Sequence, residues 1–228
     1  MINMNFERVD ADLVSKASSF PASILADVAG RRGTLDGAIC GLSPSMRVYG
    51  PAFTVEVRPG DNLMIHAALA LAKAGDVIVV DGKGDTSCAL CGELMSAQAK
   101  AAGIAGLVID GAVRDALALR SGDFPVFSRG TNPNGPTKGL AGRIGYPISV
   151  AGVAVCPGDL IAGDEDGVVV IPRSDLGALL LEAQRKVVKE RQRLIDIGDG
   201  ELVQAWVEKA LRQVGAIKAD AALSDLRS

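Results

Sequence analysis

The sequence predicts a layered α/β domain followed by a helical C-terminal extension. Short apolar runs alternate with segments of helical composition between residues 48 and 115. Hydrophobic residues make up 48% of the 228 residues, so the chain can bury a substantial core. Its 27 glycines and its low aromatic content of 4% are typical of closely packed sheets and helices joined by tight turns.

The first βα cycle begins at Val48–Val57, whose β-branched residues and period-two stretches predict a strand. A turn at Pro59–Asp61 follows. Asn62–Ala74 has helical composition, and Asn62 is in the right place for an N-cap. Asp76–Asp81 is a short apolar run bounded by turn residues, as expected for a buried strand.

A second cycle contains the polar residues of greatest interest. It consists of a helix over Glu93–Ala102, a strand over Gly106–Asp110, a turn at Asp110–Gly111 and a short helix after Arg114. This order returns Arg114 and Asp115 to the C-terminal end of a strand, where α/β sheets commonly bind ligands.

The second half of the chain changes pattern. Arg129–Gly139 is rich in Gly, Pro and Asn and is predicted to be a long loop. Asp164–Gly167 lacks the residue spacing of a calcium-binding loop and is predicted to be a turn. Residues 1–173 are assigned to the α/β domain and 174–228 to the extension. The predicted strands are Ile148–Val155, Leu160–Gly163 and Val168–Ile171, and the predicted helices run from Ser174 to about Ile195 and over Leu202–Val214.

Composition excludes several classes of function. The 24 Lys and Arg residues against 27 acidic ones show no basic stripe, so nucleic acid is not an expected partner. Apolar runs are strand-sized and the N-terminus is polar, so neither a membrane span nor a signal peptide is expected and the protein is predicted to be cytoplasmic. Cys88 and Cys91 form a lone C-x-x-C, which is better explained by packing than by redox or zinc chemistry.

The segment from Cys91 to Asp115 combines groups that suit an anionic substrate. Gly92 and Glu93 begin a helix, so the amides of Leu94 and Met95 lack intrahelical partners and favour a carboxylate. An adjacent Arg–Asp pair is usually a surface ion pair. Together with such a helix N-terminus, Arg114 and Asp115 instead suit a 2-oxo acid bound beside a metal ion. Because the candidate ligands are oxygens, Mg²⁺ or Mn²⁺ fits better than zinc.

An ordered series of short motifs then makes the chain resemble a known family. The motifs are Gly92–Leu94, Asp110–Asp115, Phe127–Gly130, Asn134–Lys138, Pro157–Asp159 and Asp166–Val170. This series resembles the 4-hydroxy-4-methyl-2-oxoglutarate / 4-carboxy-4-hydroxy-2-oxoadipate aldolase family, which is related to the regulator of ribonuclease activity A proteins.

The resemblance implies a layered α/β/β/α swivelling-type fold and a class II aldolase that releases pyruvate, with oxaloacetate decarboxylation as a side activity. It implies that Asp115 binds the metal ion and that Arg114 and Gly92–Met95 bind the substrate. Glu93 and, from a neighbouring subunit, Glu190 are expected to reach the ion through water. Glu182 and Glu201 are the rivals of Glu190 for that role.

The resemblance also implies a homotrimer or a homohexamer. The apolar stripe of the extension is expected to be buried against a neighbouring subunit, and it consists of Leu176, Leu179, Leu180, Ala183 and Val187. A non-enzymatic regulator of ribonuclease activity is the alternative function. Lys138 is a possible Schiff-base nucleophile, although that mechanism is less favoured than the metal mechanism. His66 is expected to be packed or surface-paired.

Overall fold

The computed structural model describes residues 1–218 and Leu223. The helices are α1 (Ala11–Ala17), α2 (Ala22–Val28), α3 (Leu63–Leu71), α4 (Glu93–Ala101), α5 (Ala116–Ser121), α6 (Leu176–Gly198) and α7 (Ala205–Gln213). The strands are β1 (Cys40–Gly41), β2 (Val48–Glu56), β3 (Val77–Cys91), β4 (Gly106–Val113), β5 (Val126–Thr131), β6 (Arg143–Ile144), β7 (Ile148–Val150), β8 (Val153–Val155), β9 (Leu160–Asp164) and β10 (Gly167–Ile171).

A mixed sheet organises the domain, in the order β1-β5-β4-β3-β2-β9-β10, with β6 also paired to β2. The four strands β2, β3, β4 and β5 run parallel and are joined by α3, α4 and α5. Because the four strands are parallel, their carboxyl ends share one edge of the sheet, and the crossover helices return the chain to the opposite edge. That edge carries the start of α4 and the residues after β4.

Two apolar cores lie on opposite faces of these strands, as the period of two predicts. Ile78 and Val80 of β3 belong to the core that also contains α3 and α4, whereas Val77 and Val79 belong to the other. The second core contains Ile148 of β7 and residues of β9 and β10. The helix layer, central strands and second β layer confirm the predicted layered α/β fold with C-terminal helices.

Two predicted boundaries were wrong. Asp110–Gly111 does not turn the chain but lies inside β4, all of whose residues are buried between parallel neighbours. Ile148–Val155 is not one strand but the antiparallel hairpin β7–β8, which turns at Ala151 and Gly152 with φ of 48° and 86°. The turn predicted at Asp164–Gly167 is confirmed, because it joins β9 to β10.

The described chain divides into two compact units, Met1–Gln184 and Arg185–Ser228. Three residues of the predicted apolar stripe, Leu176, Leu180 and Ala183, are buried within the chain itself. Contrary to the expectation, these three side chains are therefore not available to a neighbouring subunit. Other apolar side chains of α6 are exposed instead, namely Leu181, Val188, Leu194, Ile195 and Ile197. None of the helices in the described residues is long and apolar enough to cross a membrane.

Candidate active site

Arg114 and Asp115 lie where the chain leaves β4, as predicted, although the strand runs three residues further than expected. The backbone N–H of Arg114 donates to the carbonyl oxygen of Cys91 at 2.9 Å, which ties the end of β4 to the end of β3. Asp115 then adopts a left-handed conformation, with φ of 58° and ψ of 38°, and α5 begins at the next residue. Left-handed backbone outside glycine costs free energy and is concentrated at functional sites.

The N-terminus of α4 faces Asp115. The backbone N–H of Glu93 donates to Oδ2 of Asp115 at 3.0 Å. A Cβ on Gly92 would lie 2.4 Å from that same oxygen, so the carboxylate can approach the helix only because residue 92 has no side chain. Leu94 and Met95 occupy the rest of the first turn, where backbone amides have no intrahelical acceptor.

The guanidinium of Arg114 is near Asp115 but not bonded to it, because Nε lies 3.8 Å from Oδ2. Both side chains are partly exposed, Arg114 to 47% and Asp115 to 42%. A Cβ on Gly135 would lie 3.1 Å from Nη1 of Arg114, so the loop after β5 approaches the guanidinium closely. Arg114 therefore keeps hydrogen-bond donors for a ligand.

A cleft of about 140 Å³ joins these groups to residues from α3 and from the loop after β5. This is below the roughly 300–1,000 Å³ typical of pockets for drug-sized ligands, so it suits a small organic acid. The cleft is lined by Asn62, His66, Ala89, Leu90, Cys91, Gly92, Leu94, Met95, Arg114, Asp115, Pro136 and Lys138. The predicted residues Gly92, Leu94, Met95, Arg114 and Asp115 are thus brought together.

Asn62 and His66 were not predicted as site residues, yet both line the cleft. Asn62 does stand before α3, but its side chain does not cap the helix, because Oδ1 of Asp61 accepts from the N–H of Leu63 at 2.9 Å. The Asn62 amide donates instead to the carbonyl oxygen of Leu90 at 3.0 Å. Helical spacing of Asn62 and His66 on one face was the available signal.

The loop after β5 is held in place by Asp61. Oδ2 of Asp61 accepts from the backbone N–H groups of Gly139 and Leu140, at 2.7 and 3.1 Å, and from Oγ1 of Thr137 at 2.8 Å. Burial raises the pKa of Asp61, but the hydrogen bonds it accepts lower the pKa by more, to below its usual value. The long loop predicted at Arg129–Gly139 is thus ordered, and its first three residues belong to β5.

Lys138 comes from this loop and lines the cleft with an exposed side chain. Exposure gives no support to an amine nucleophile, which desolvation normally activates. The charge of Lys138 nevertheless acts inside the cleft. Burial lowers the pKa of His66, and the ammonium of Lys138 lowers it further. Lys138 is therefore better suited to attract a second negative group of a ligand.

The C-x-x-C pair behaves as packing residues. Cys88 and Cys91 are buried in the last part of β3. Burial raises the pKa of the Cys91 thiol to about 11, so the free thiol stays protonated and weakly nucleophilic near neutral pH. Across residues 1–218 and Leu223, no group of three or more His, Cys, Asp or Glu side chains is arranged to hold a metal ion by itself.

Asp115 is consequently the central candidate for metal binding in the cleft. One of its oxygens is oriented by the Glu93 amide, and Glu93 itself is exposed beside it. One or two carboxylates completed by water and substrate are typical of magnesium and manganese sites, whereas structural zinc needs four nitrogen or sulfur ligands. The oxygen donors present fit a hard divalent ion.

Comparison with known proteins gives a family. The family model described as RraA-like, Aldolase/RraA, matches residues 10–170. A protein of Halalkalibacterium halodurans, provisionally named 4-hydroxy-4-methyl-2-oxoglutarate aldolase, is 38% identical over 205 residues, which cover 90% of this chain and 98% of that protein.

Solved structures agree with this relationship. An uncharacterized protein from Pseudomonas syringae has a TM-score of 0.76 at 28% identity, with 86% of this chain and 96% of that chain covered. Streptomyces coelicolor RraAS2, described as an unusual member of the RNase ES inhibitor RraA family, has a TM-score of 0.75 at 30% identity, with 82% and 98% covered. The resemblance predicted from the sequence is confirmed: the chain belongs to the RraA-like family, which unites 4-hydroxy-4-methyl-2-oxoglutarate aldolases and RraA proteins.

Proposed function

We propose that this protein is a divalent-metal-dependent aldolase that cleaves a 4-hydroxy-2-oxo acid, such as 4-hydroxy-4-methyl-2-oxoglutarate, to pyruvate and a second oxo acid. Oxaloacetate decarboxylation is the expected side activity, because both reactions pass through the enolate of pyruvate. The observation that carries the proposal is the meeting of Asp115, Arg114 and the first turn of α4 in one small cleft. The aldolase name of the Halalkalibacterium relative supports the reaction class.

Asp115 would hold Mg²⁺ or Mn²⁺, with Glu93 acting through water. The ion, when bound, polarises the 2-oxo group and stabilises the negative charge that develops as the carbon–carbon bond breaks. The chain's own contribution is to orient the carboxylate. The hydrogen bond from Glu93 and the space left by Gly92 hold Oδ2 of Asp115 in one position before any ligand arrives.

The amides of Leu94 and Met95 would bind the carboxylate of the substrate. They lie at the positive end of the dipole of α4, which favours an anion by roughly 0.3–1 kcal/mol in an exposed setting. Leu94 is 85% exposed whereas Met95 is buried, so the substrate would approach from the side of Leu94.

Arg114 would hydrogen-bond the 2-oxo oxygen. Its guanidinium is planar and permanently charged. Its Nε lies too far from Oδ2 of Asp115 to form a hydrogen bond with it, so this donor is available to the substrate. Donors aimed at an oxygen on which charge develops accelerate reactions more than donors to the ground state. Lys138 would attract the carboxylate on the other half of the substrate, since it lines the same cleft.

A neighbouring subunit would complete the site in a homotrimer or homohexamer. Glu190 is our candidate for the residue that it contributes, reaching the ion through water, and Glu182 and Glu201 remain its rivals. In the described chain Glu190 is half exposed and pairs with Lys186 at 3.1 Å one helical turn away. Exposed ion pairs of this kind are weak, so Glu190 can exchange this partner at little cost.

A non-enzymatic regulator of ribonuclease activity is the second candidate. The likeness to Streptomyces RraAS2, which bears the name of an RNase ES inhibitor family, favours it. Such a role requires a protein-binding surface and makes no demand on the orientation of Asp115 or on the cleft.

One experiment separates the two. Purified protein with Mg²⁺ is offered 4-hydroxy-4-methyl-2-oxoglutarate and oxaloacetate, and pyruvate is measured with a coupled lactate dehydrogenase assay. We expect turnover of both, lost on addition of EDTA and restored by excess Mg²⁺ or Mn²⁺. No pyruvate from any 2-oxo acid, together with binding to an RNA-degrading enzyme, would favour the regulator.

A further inference from the structure

The buried side of the cleft contains two polar atoms that have no hydrogen-bond partner within residues 1–218 and Leu223. Asn62 is 3% exposed, and its Nδ2 donates to the carbonyl oxygen of Leu90 at 3.0 Å and contacts Sδ of Met95 at 3.4 Å. These contacts fix the orientation of the amide, since only the nitrogen can donate to a carbonyl. Oδ1 of Asn62 is therefore an acceptor, and it is buried with no hydrogen bond from the described residues.

His66 follows one helical turn later and presents the second such atom. Its Nε2 is buried and likewise has no hydrogen-bond partner among the described residues. Burial, and then the charge of Lys138, lower the pKa of this imidazole. The ring is therefore neutral near pH 7, and each of its nitrogens either donates or accepts one hydrogen bond.

Unpartnered buried polar atoms are uncommon and usually mark a place where water or a ligand belongs. Of the other residues that line the cleft, Ala89, Leu90 and Pro136 offer no side-chain hydrogen bond, whereas Lys138 contributes a positive charge. A carboxylate would be repelled by the lone pairs of Asn62 Oδ1. A hydroxyl, in contrast, can donate to Oδ1 of Asn62 and satisfy Nε2 of His66 at the same time.

We propose that Asn62 and His66 form a subsite that binds the hydroxyl group of a hydroxylated 2-oxo acid and so selects it over acids without that group. The inference rests on the proposed function and adds the residues that select the hydroxylated substrate. The other polar groups of the cleft are charged or are backbone amides, and they suit the carboxylates and the 2-oxo group. Oxaloacetate, which has no hydroxyl as a ketone, would leave this subsite to water.

The test compares two reactions in one protein. His66→Leu removes the polar atom, and His66→Gln is the matched control because its amide can occupy the position of Nε2. We expect His66→Leu to lower kcat/KM for 4-hydroxy-4-methyl-2-oxoglutarate, relative to kcat/KM for oxaloacetate, by about tenfold or more. His66→Gln should restore most of that ratio.

The outcomes are distinguishable. If wild-type protein releases pyruvate from neither compound, the proposed function fails. If the wild type is active and a folded His66→Leu variant leaves the ratio of the two kcat/KM values unchanged, the hydroxyl subsite is overturned while the proposed function stands. Melting temperatures of both variants are measured alongside, and a general loss of folding would lower both reactions together without moving their ratio. Should His66→Leu fail to fold, the same ratio is measured for Asn62→Ala, which removes the Oδ1 acceptor. An unchanged ratio in that variant would also overturn the subsite.

Discussion

The backbone N–H of Glu93 donates to Oδ2 of Asp115 at 3.0 Å, although 22 positions separate the two residues in the chain. This bond joins the first residue of α4 to the second residue after β4, and it holds the candidate metal ligand at the N-terminus of a helix. Orientation of a carboxylate by a backbone donor is what preorganised metal sites require.

Gly92→Ala should impair the site without unfolding the protein. The added Cβ would lie 2.4 Å from Oδ2 of Asp115, so the carboxylate must move away from the Glu93 amide. We expect Mg²⁺ affinity and kcat/KM to fall by about tenfold or more, as for loss of an orienting partner of a metal ligand. Gly37→Ala is the control, because nothing lies within 4 Å of its Cβ. Equal activity of the two variants would contradict the close approach of the Asp115 carboxylate to residue 92.

Asp115→Asn should abolish metal-dependent activity. Asparagine tolerates the left-handed backbone at this position, so the fold is kept while the negative charge is lost. We expect no Mg²⁺ binding by calorimetry and a loss of pyruvate release of at least about a hundredfold. Asp123→Asn is the matched control, since that carboxylate is exposed and pairs with Lys100. Full activity of Asp115→Asn would refute the assignment of the metal ligand.

Arg114→Ala should cost several orders of magnitude in kcat, on the order of 4 kcal/mol in transition-state stabilisation. Arg114→Lys keeps the charge but not the planar pair of donors, so we expect it to recover only part of the rate. Arg120→Ala, on the exposed side of α5, serves as the control. A KM effect with kcat unchanged would show that Arg114 binds substrate and transition state equally.

Asp61→Ala should destabilise the protein and loosen the loop that carries Lys138. Loss of the carboxylate leaves the backbone N–H groups of Leu63, Gly139 and Leu140 without their acceptor, at a cost of about 2–4 kcal/mol in unfolding free energy. Chemical denaturation measures this loss. Gln98→Ala, an exposed substitution on α4, should change stability little.

The contribution of Asp61 to the free energy of unfolding should also depend on pH. Its pKa in the folded protein is below the ordinary value of about 3.8, so the unfolded chain takes up the proton first as the pH falls. The stabilisation is therefore complete above about pH 4 and is lost as the pH falls through the folded pKa. The difference in unfolding free energy between wild type and Asp61→Asn should shrink over that range. A difference in unfolding free energy that does not change with pH would contradict the lowered pKa of Asp61.

Thiol titration should divide the four cysteines into two classes. Cys88 and Cys91 are buried, whereas Cys40 and Cys156 are exposed. Burial raises the pKa of Cys88, Cys91 and Cys156, so exposure and not the pKa alone separates the two classes. We expect two thiols to react with Ellman's reagent in the native protein and four after unfolding. Reaction of Cys91 in the native state, or a disulfide between Cys88 and Cys91, would contradict the packing role.

Local signals were sufficient for much of the fold and of the site. The start of α4 follows from Gly92 and Glu93, and Arg114 and Asp115 lie after a buried strand as predicted. Asp110–Gly111 misled the prediction because this dipeptide is typical of turns. In the folded protein, β3 and β5 pair with β4 on both sides and extend it through that point.

Contacts between residues distant in sequence could not be predicted. Asp61 stabilises a loop about 76–79 positions away, and nothing in the local pattern indicates that partner. Asp61 also caps α3, which leaves the Asn62 side chain free to enter the cleft with His66. The role of Glu190 depends on a second chain, and it stays a prediction.

The left-handed backbone of Asp115 restricts how this position can change during evolution. Glycine and asparagine suit the conformation but carry no charge for a cation, whereas glutamate has the charge but is less tolerated at positive φ. Aspartate alone meets both demands. Under the proposed function, any substitution at residue 115 would therefore lose either the charge that binds the cation or the favoured backbone conformation in a single step.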